Sequence, residues 1–326
     1  MTGLGAAIAL ALNIWVIIPA LGPGNVARLA ALGGRIDSGP GPTVVFVGNS
    51  ITVEGIDASV VAEAIGPGAT VENWGINGCA LEEVRVILPK VLRAKPRYVV
   101  VSLLPNDLGP AQDVNLEKAY GYGVGGFGGA WPRADRATMF PGISEATERA
   151  MKSSRFQQGI FFRSTLLDWV NREARLVFRS GLRRARDDDW SSPWEMTSGI
   201  SGTRLERHVD DVMAIIDMRT GNGWESGEEL IRSVARQIVE GGATAVFTIA
   251  PQHPQMRART EAILAREREI GAELGAMPGV VFLDASTLLG ADGFADAVHP
   301  NALGREAYSR AVGQAIAEAE RSGEGR

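Results

Sequence analysis

Residues 43–50 read TVVFVGNS, an apolar, β-branched run that stops at a glycine, an asparagine and a serine. Such a run predicts a buried strand. The stretch from about Asp57 to Ile65 predicts the helix that follows, because an aspartate favours the cap position of a first turn. Strand and helix together predict one βα unit. The serine at its turn lies where open α/β sheets bind ligands, just outside the carboxyl ends of the strands.

The alternation of strand and helix continues along the chain. Four further apolar runs predict strands, at 69–74, 97–104, 243–250 and 280–284. Helical patterns accompany them at 81–94, 255–274 and 302–320. The run at 97–104 is apolar on both faces, as in a parallel sheet that is covered on both sides. The sequence therefore predicts an α/β fold, with five parallel strands and helices on both faces.

The N-terminal segment differs from the rest of the chain. Residues 4–21 carry no charge, and 18 residues of helix would span about 27 Å, close to the roughly 30 Å of a bilayer core. We predict a signal anchor or transmembrane helix over residues 1–21, with a cleaved signal or a buried core helix as alternatives. An extracytoplasmic body is our expectation, although the basic residues that follow the apolar run favour the opposite orientation.

The remaining domain organisation follows from composition and from the strand pattern. Residues 22–42 are rich in glycine and proline and predict a linker. Residues 43–326 form the predicted folded body. Between about 110 and 242 no strand pattern is visible, which predicts a large, mainly helical insertion.

Charge and residue counts make several functions improbable. The chain has 33 Lys and Arg against 38 Asp and Glu, a net charge of −5, and so lacks the basic surplus of a nucleic-acid-binding protein. One cysteine and three histidines leave no cluster with the spacing of a zinc site. We therefore expect no nucleic-acid partner, no metal and no cofactor.

A candidate catalytic pair precedes the last helix. Residues 296–301 read DAVHPN, which places Asp296 three positions before His299. The carboxylate would fix the tautomer of the imidazole, and the other ring nitrogen could take the proton of Ser50, because a serine needs such a base to become a nucleophile. A helix cap at Ser50 and a surface position for His299 are the structural alternatives.

Two loops that follow strands offer hydrogen-bond donors. Residues 73–78 read NWGING, and Gly78 lets the backbone approach a ligand closely. Residues 105–107 read PND, in which Asn106 offers a side-chain amide. Backbone amides and asparagine side chains commonly stabilise the oxyanion of an acyl transfer. Each loop alone would be unremarkable.

The four blocks, taken in this order, resemble the motifs of the SGNH (GDSL-like) hydrolase family. The resemblance implies a flavodoxin-like, three-layer fold for the body. It also implies a catalytic triad of Ser50, Asp296 and His299. The implied oxyanion donors are the amides of Ser50 and Gly78 and the side chain of Asn106.

The chain departs from the family pattern at two places. Asn49 stands where the first block usually has an aspartate, and Leu104-Pro105 replaces a usual glycine before the third block. Neither change removes a catalytic group, but both alter the loops around the nucleophile. We consider Asn49, Asp107 and His253 as candidate substrate-binding residues.

A weaker resemblance connects the chain to membrane-attached SGNH proteins that accompany membrane-bound O-acyltransferases. It implies an esterase or O-acetyltransferase that acts on acetyl esters of a cell-surface glycan through an acyl-enzyme on Ser50. It also implies an O-acyltransferase as a candidate partner, and attachment to the membrane through the N-terminal helix. The alternatives are a lipase-like carboxylesterase and a catalytically silent scaffold that binds glycan or an acyltransferase.

Overall fold

The structure, a computed structural model, describes residues 41–110, 198–221 and 223–323, together with isolated positions at 29, 32–34, 118, 122, 126–127 and 149. The chain divides into two units, and nearly all described residues lie in the unit formed by residues 40–111 and 192–326. The predicted N-terminal helix and most of the linker and insertion lie outside the described residues. Within the described part of the chain, no helix combines the length and hydropathy that crossing a bilayer requires.

One parallel sheet of five strands forms the centre of this unit. In chain order the strands are β1 (Val44–Val47), β2 (Val71–Asn73), β3 (Tyr98–Leu103), β4 (Thr244–Ile249) and β5 (Val280–Asp284). Their order across the sheet is β2-β1-β3-β4-β5. Every neighbouring pair is parallel. The α/β fold with a flavodoxin-like five-stranded sheet, predicted from the alternation of apolar runs and from the family resemblance, is confirmed.

Helices cover the sheet on both faces, as parallel strands require. In chain order they are α1 (Ser50–Gly55), α2 (Ala58–Ile65), α3 (Leu81–Arg93), α4 (Gly202–Thr220), α5 (Glu225–Glu240), α6 (Pro254–Arg259), α7 (Glu261–Gly275) and α8 (Ala302–Ser322). Helices α2 and α8 pack together over one face, and α3, α5 and α7 pack over the other. The Asp57 side chain accepts hydrogen bonds from the second and third residues of α2, as the sequence predicts.

The core on the α2 and α8 face is built by alternate residues of the strands. Val44 and Phe46 of β1 and Val100 of β3 are fully buried there against Val312 and Ile316 of α8. The intervening residues of β1 are buried as well, because the helices on the opposite face cover them. Burial of both faces holds the carboxyl ends of the strands along one rigid edge of the sheet.

Helices α4 and α5 lie in the region where the sequence shows no strand pattern, and the structure places both in the unit that carries the sheet. Helix α5 is the crossover that a parallel connection from β3 to β4 needs. The helix predicted over 255–274 is two helices, α6 and α7. They meet at Thr260, whose hydroxyl donates to the side chain of Gln252 in the preceding loop.

Candidate active site

The turn after β1 presents Ser50 at the carboxyl edge of the sheet. Gly48 has φ +149°, and a Cβ there would lie 2.5 Å from the hydroxyl of Thr52, so this turn requires glycine. Asn49 caps α1, because its Oδ1 accepts a hydrogen bond from the amide of Ile51 at 2.9 Å. Asn49 is therefore the N-cap residue, and Ser50 is the first residue of helix α1. An amide oxygen can fill this role as well as a carboxylate does.

His299 links Ser50 to Asp296. Its Nε2 lies 3.0 Å from Ser50 Oγ, and its Nδ1 lies 2.9 Å from Asp296 Oδ2. Both separations are hydrogen-bond distances, and the first joins residues that are 249 positions apart in the chain. If Nδ1 carries the proton, Nε2 is free to accept the hydroxyl proton of the serine. The arrangement is that of a nucleophile, a base and a residue that orients the base.

The loop that carries this pair is held at several points. The amides of Val298 and His299 both donate to Asp296 Oδ1 at 2.8 Å. Asn301 accepts from the first amides of α8 and donates through Nδ2 to the carbonyl of Asp292 at 2.6 Å. Gly304 packs against the backbone of Gly293, where a Cβ would lie 2.0 Å from the carbonyl oxygen. These contacts fix the position of the imidazole before any ligand arrives.

Asp296 is held in its charged form. Burial acts to raise the pKa of its carboxyl group, but hydrogen bonds from the ring and the amide of His299 and from the amide of Val298 outweigh burial. The pKa is therefore below the ordinary value. A charged carboxylate at this point stabilises the imidazolium that forms when His299 takes a proton.

The loop after β2 brings Gly78 beside the nucleophile turn. It continues alongside the end of β1, because the amide of Trp74 donates to the carbonyl of Phe46 and that of Ile76 to the carbonyl of Gly48, both at 2.8 Å. Gly78 then turns the chain with φ +65°, a conformation that favours glycine. It lines the same cleft as Ser50.

Asn106 approaches the cleft from the other side. It lies in a short 3₁₀ turn, Pro105–Leu108, directly after β3. The carboxyl group of Asp107 accepts a hydrogen bond from the amide of Leu104 at 2.8 Å, which closes the turn on itself. Asn106 therefore lines the cleft together with Ser50 and Gly78, the three predicted oxyanion donors.

Replacement of Asn106 by alanine tests the third donor. We expect kcat for an ester to fall about 100-fold to 1,000-fold with a small change in KM, because an oxyanion donor acts mainly on the transition state. Steady-state kinetics of the Asn106→Ala protein measure this effect, with the outward-facing Asn77→Ala as the control. A change in KM alone would remove Asn106 from this role.

Charged groups are buried beneath the Asn106 turn. Arg219 of α4 lies 3.5 Å from Glu82 of α3, and both side chains are buried. Burial raises the pKa of Asp107 to about 7, and the neighbouring Glu82 adds to the rise. Burial also raises the pKa of Glu267 of α7, with a further contribution from Asp107. Two carboxyl groups close together in the interior therefore favour their neutral forms.

The titration of Asp107 predicts a dependence of stability on pH. Its pKa of about 7 exceeds the ordinary 3.8, so the folded chain binds this proton more tightly than the unfolded chain. Its contribution to the free energy of unfolding therefore falls as pH rises from about 4 through 7. The Asp107→Asn protein lacks this titration and can still accept from the amide of Leu104. The free energy of unfolding of Asp107→Asn should therefore exceed that of wild type by at most about 4 kcal/mol at pH 8 and by much less at pH 4.

Urea unfolding at pH 4, 6 and 8 measures this difference. The exposed Asp211→Asn is the matched control and should show no such trend. An equal difference between Asp107→Asn and wild type at all three values would contradict the assignment of a raised pKa to Asp107.

The cleft in front of Ser50 has a volume of about 300 Å³ and is largely apolar. Asn49, Ser50, Gly78 and Asn106 line it, and Arg219 and Gln252 are further polar residues of its lining. Helix α4 contributes Val212, Ile215, Ile216 and Arg219, and α6 contributes Met256. The sequence does not identify the α4 residues as part of the site, because they lie in the predicted insertion. Their spacing of three and four positions is nevertheless that of one helix face.

Two predicted substrate-binding residues lie elsewhere. Asp107 is buried beneath the Asn106 turn and does not line the cleft. His253 is buried too, with its ring 5.3 Å from that of Phe294 and its Nδ1 accepting from the amide of Gln255. Asn49, the third such residue, does line the cleft.

His208 of α4 lies close to the catalytic loop. Its Nδ1 accepts from the amide of Ala297 at 3.4 Å. The same atom lies 4.0 Å from Asp296 Oδ1. Helix α4 thus reaches the loop of the base as well as the cleft.

Comparison with known proteins finds similarity only among solved structures. No protein-family model matches the chain, and no curated protein matches it either. One similar structure is that of a candidate acylhydrolase from Bacteroides fragilis, with 14% identity over 90% of this chain and 97% of the other and a TM-score of 0.41. Another is a catalytic mutant of an acetylxylan esterase from Geobacillus stearothermophilus, with 16% identity over 85% and 95% and a TM-score of 0.39.

Similarity at this level assigns neither activity nor substrate. The sheet order and the positions of the four sequence blocks are features of this chain itself. Ser50, Gly78 and Asn106 follow three neighbouring strands, and His299 reaches Ser50 from the loop before α8. The described chain therefore has a parallel, five-stranded α/β fold that brings all four sequence blocks to one cleft.

Proposed function

We propose that the protein is a serine esterase that forms an acyl-enzyme on Ser50. The observation that carries this proposal is the hydrogen-bonded chain from Ser50 through His299 to Asp296. The resemblance of the four sequence blocks to SGNH hydrolases supports the same chemistry.

The first half of the reaction transfers the acyl group to the enzyme. Ser50 Oγ attacks the carbonyl carbon of the ester while His299 Nε2 takes the hydroxyl proton. The negative charge on the carbonyl oxygen faces the amides of Ser50 and Gly78 and the side chain of Asn106. The bond from the carbonyl carbon to the alcohol oxygen then breaks, and His299 returns the proton to that oxygen.

The second half releases the acyl group. Water loses a proton to His299 and attacks the acyl-enzyme, which yields the carboxylic acid and regenerates the serine hydroxyl. A sugar hydroxyl in place of water would give acyl transfer by the same steps. Hydrolysis and transfer thus share one set of residues and differ in the acceptor alone.

The finer alternatives concern the acyl group and the location. A role in acetylation of a cell-surface glycan, at the membrane and beside an O-acyltransferase, rests on the N-terminal sequence and on the weaker resemblance. A lipase-like esterase is favoured by one structural observation, the apolar wall that α4 and α6 add to the cleft. Both functions use the same triad.

The proposal is tested with the full-length protein and p-nitrophenyl acetate and butyrate. We expect release of p-nitrophenol above the rate in buffer, with saturation by substrate. A protein that is folded by circular dichroism and yet hydrolyses neither ester would favour the scaffold alternative.

A further inference from the structure

Three apolar residues on one face of α4 form a wall of the cleft that contains the nucleophile. Val212, Ile215 and Ile216 lie three and four positions apart and line the same cleft as Ser50. Met256 of α6 extends the wall and is itself buried. Ile215 is 53% exposed, which is unusual for an isoleucine that faces a cleft. Its exposed surface is available to a ligand.

Two polar side chains, Arg219 and Gln252, also line the cleft. Arg219 is paired with Glu82, and Gln252 Oε1 accepts a hydrogen bond from the hydroxyl of Thr260 at 3.0 Å, while the buried Arg219 Nε and Gln252 Nε2 have no hydrogen-bond partner among the described residues. A sugar would bring several hydroxyl groups against Val212, Ile215 and Ile216, where the side chains offer no hydrogen bonds. Hydroxyl groups buried without partners weaken binding.

The volume of the cleft also indicates a substrate group larger than acetyl. Its volume of about 300 Å³ is at the lower end for small-molecule sites and far exceeds the space that the methyl group of an acetyl ester fills. The wall and the nucleophile line the same cleft, so we expect the part of the substrate that lies on the wall to be attached to the reacting carbonyl group or to its oxygen.

We infer that the wall of Val212, Ile215, Ile216 and Met256 binds the acyl chain of the ester and selects chains longer than acetyl. This inference rests on the proposed function and names its substrate class, esters of short-chain to medium-chain fatty acids. The chain lies on α4, and its carbonyl oxygen faces the oxyanion donors.

The first experiment compares acyl chains of increasing length. The full-length protein is assayed with p-nitrophenyl acetate, butyrate, hexanoate and octanoate. Burial of a methylene group against an open wall should raise kcat/KM about twofold, so that hexanoate exceeds acetate by on the order of tenfold. Equal values of kcat/KM for the four esters, or a higher value for acetate, would overturn the inference.

The second experiment locates the effect on α4. Replacing Ile215 by serine should lower kcat/KM for hexanoate about tenfold and change that for acetate by less than about twofold, because acetate does not reach this side chain. The matched control is Met218→Ser on the same helix. Met218 is 66% exposed and does not line the cleft, so its replacement should change neither value.

The outcomes separate this inference from the proposed function. Hydrolysis of every ester with no effect of Ile215→Ser on chain-length preference would overturn the inference alone. Failure to hydrolyse any of the four esters would overturn the proposed function. Faster hydrolysis of hexyl acetate than of ethyl hexanoate would place the alcohol group on the wall and would contradict the acyl assignment.

Discussion

Replacing Ser50 by alanine is expected to abolish ester hydrolysis, with kcat lower by about 10⁴-fold to 10⁶-fold. Alanine removes only the hydroxyl that would form the acyl-enzyme. The cap of α1 stays in place, because it comes from Asn49. Alanine also favours a helix, so the fold should be unchanged. A loss of activity would therefore result from the missing nucleophile and not from unfolding.

The Ser50→Ala protein is compared with wild type by steady-state release of p-nitrophenol, after thermal unfolding has shown that both are folded. Ser59→Ala is a suitable control, since Ser59 is an exposed residue of α2 close in the chain. A Ser50→Ala protein with a tenth or more of the wild-type rate would require another nucleophile.

Replacing His299 by alanine is expected to lower kcat by a similar factor, about 10⁴ to 10⁶. Without the imidazole, Ser50 has no base at hydrogen-bond distance among the groups that the structure places around it. The alcohol that leaves also has no proton donor. Loss of both functions explains why a single substitution should have so large an effect.

His208→Ala is the matched control for this variant. His208 contacts the other side of the Asp296 loop at 3.4 Å and 4.0 Å and does not reach Ser50. Interactions of half-exposed groups at such distances are weak, so we expect a loss of at most about fivefold. Equal losses in the two variants would contradict the assignment of the base to His299.

The sheet could be predicted from the sequence because its signal is local. Each strand is a short apolar run, and the capping aspartate of α2 and the turn at Gly48 lie within a few residues of the strand that they follow. The motifs of the cleft could be predicted for the same reason. His299 lies within hydrogen-bond distance of both Ser50 and Asp296, although 249 positions separate it from Ser50.

Features that depend on tertiary packing could not be predicted in this way. The apolar face of α4 is visible in the sequence, but nothing local shows whether it packs on the sheet, belongs to an insertion or lines a cleft. Asp107 and His253 are candidate substrate-binding residues in the sequence because each follows a strand, which places it near the carboxyl edge of the sheet. The structure buries both. The turn that holds Asp107 packs against α4, α5 and α7, which follow much later in the chain, and His253 packs against Phe294 of the loop before α8.

Covalent labelling of the full-length protein tests the central claim most directly. A fluorophosphonate reacts with an activated serine, and mass spectrometry of the digested protein locates the label. The account predicts one equivalent of label on the peptide that contains Ser50, with no label on Ser50→Ala and much slower labelling of His299→Ala. Label on a different residue, or equal labelling of wild type and His299→Ala, would contradict it.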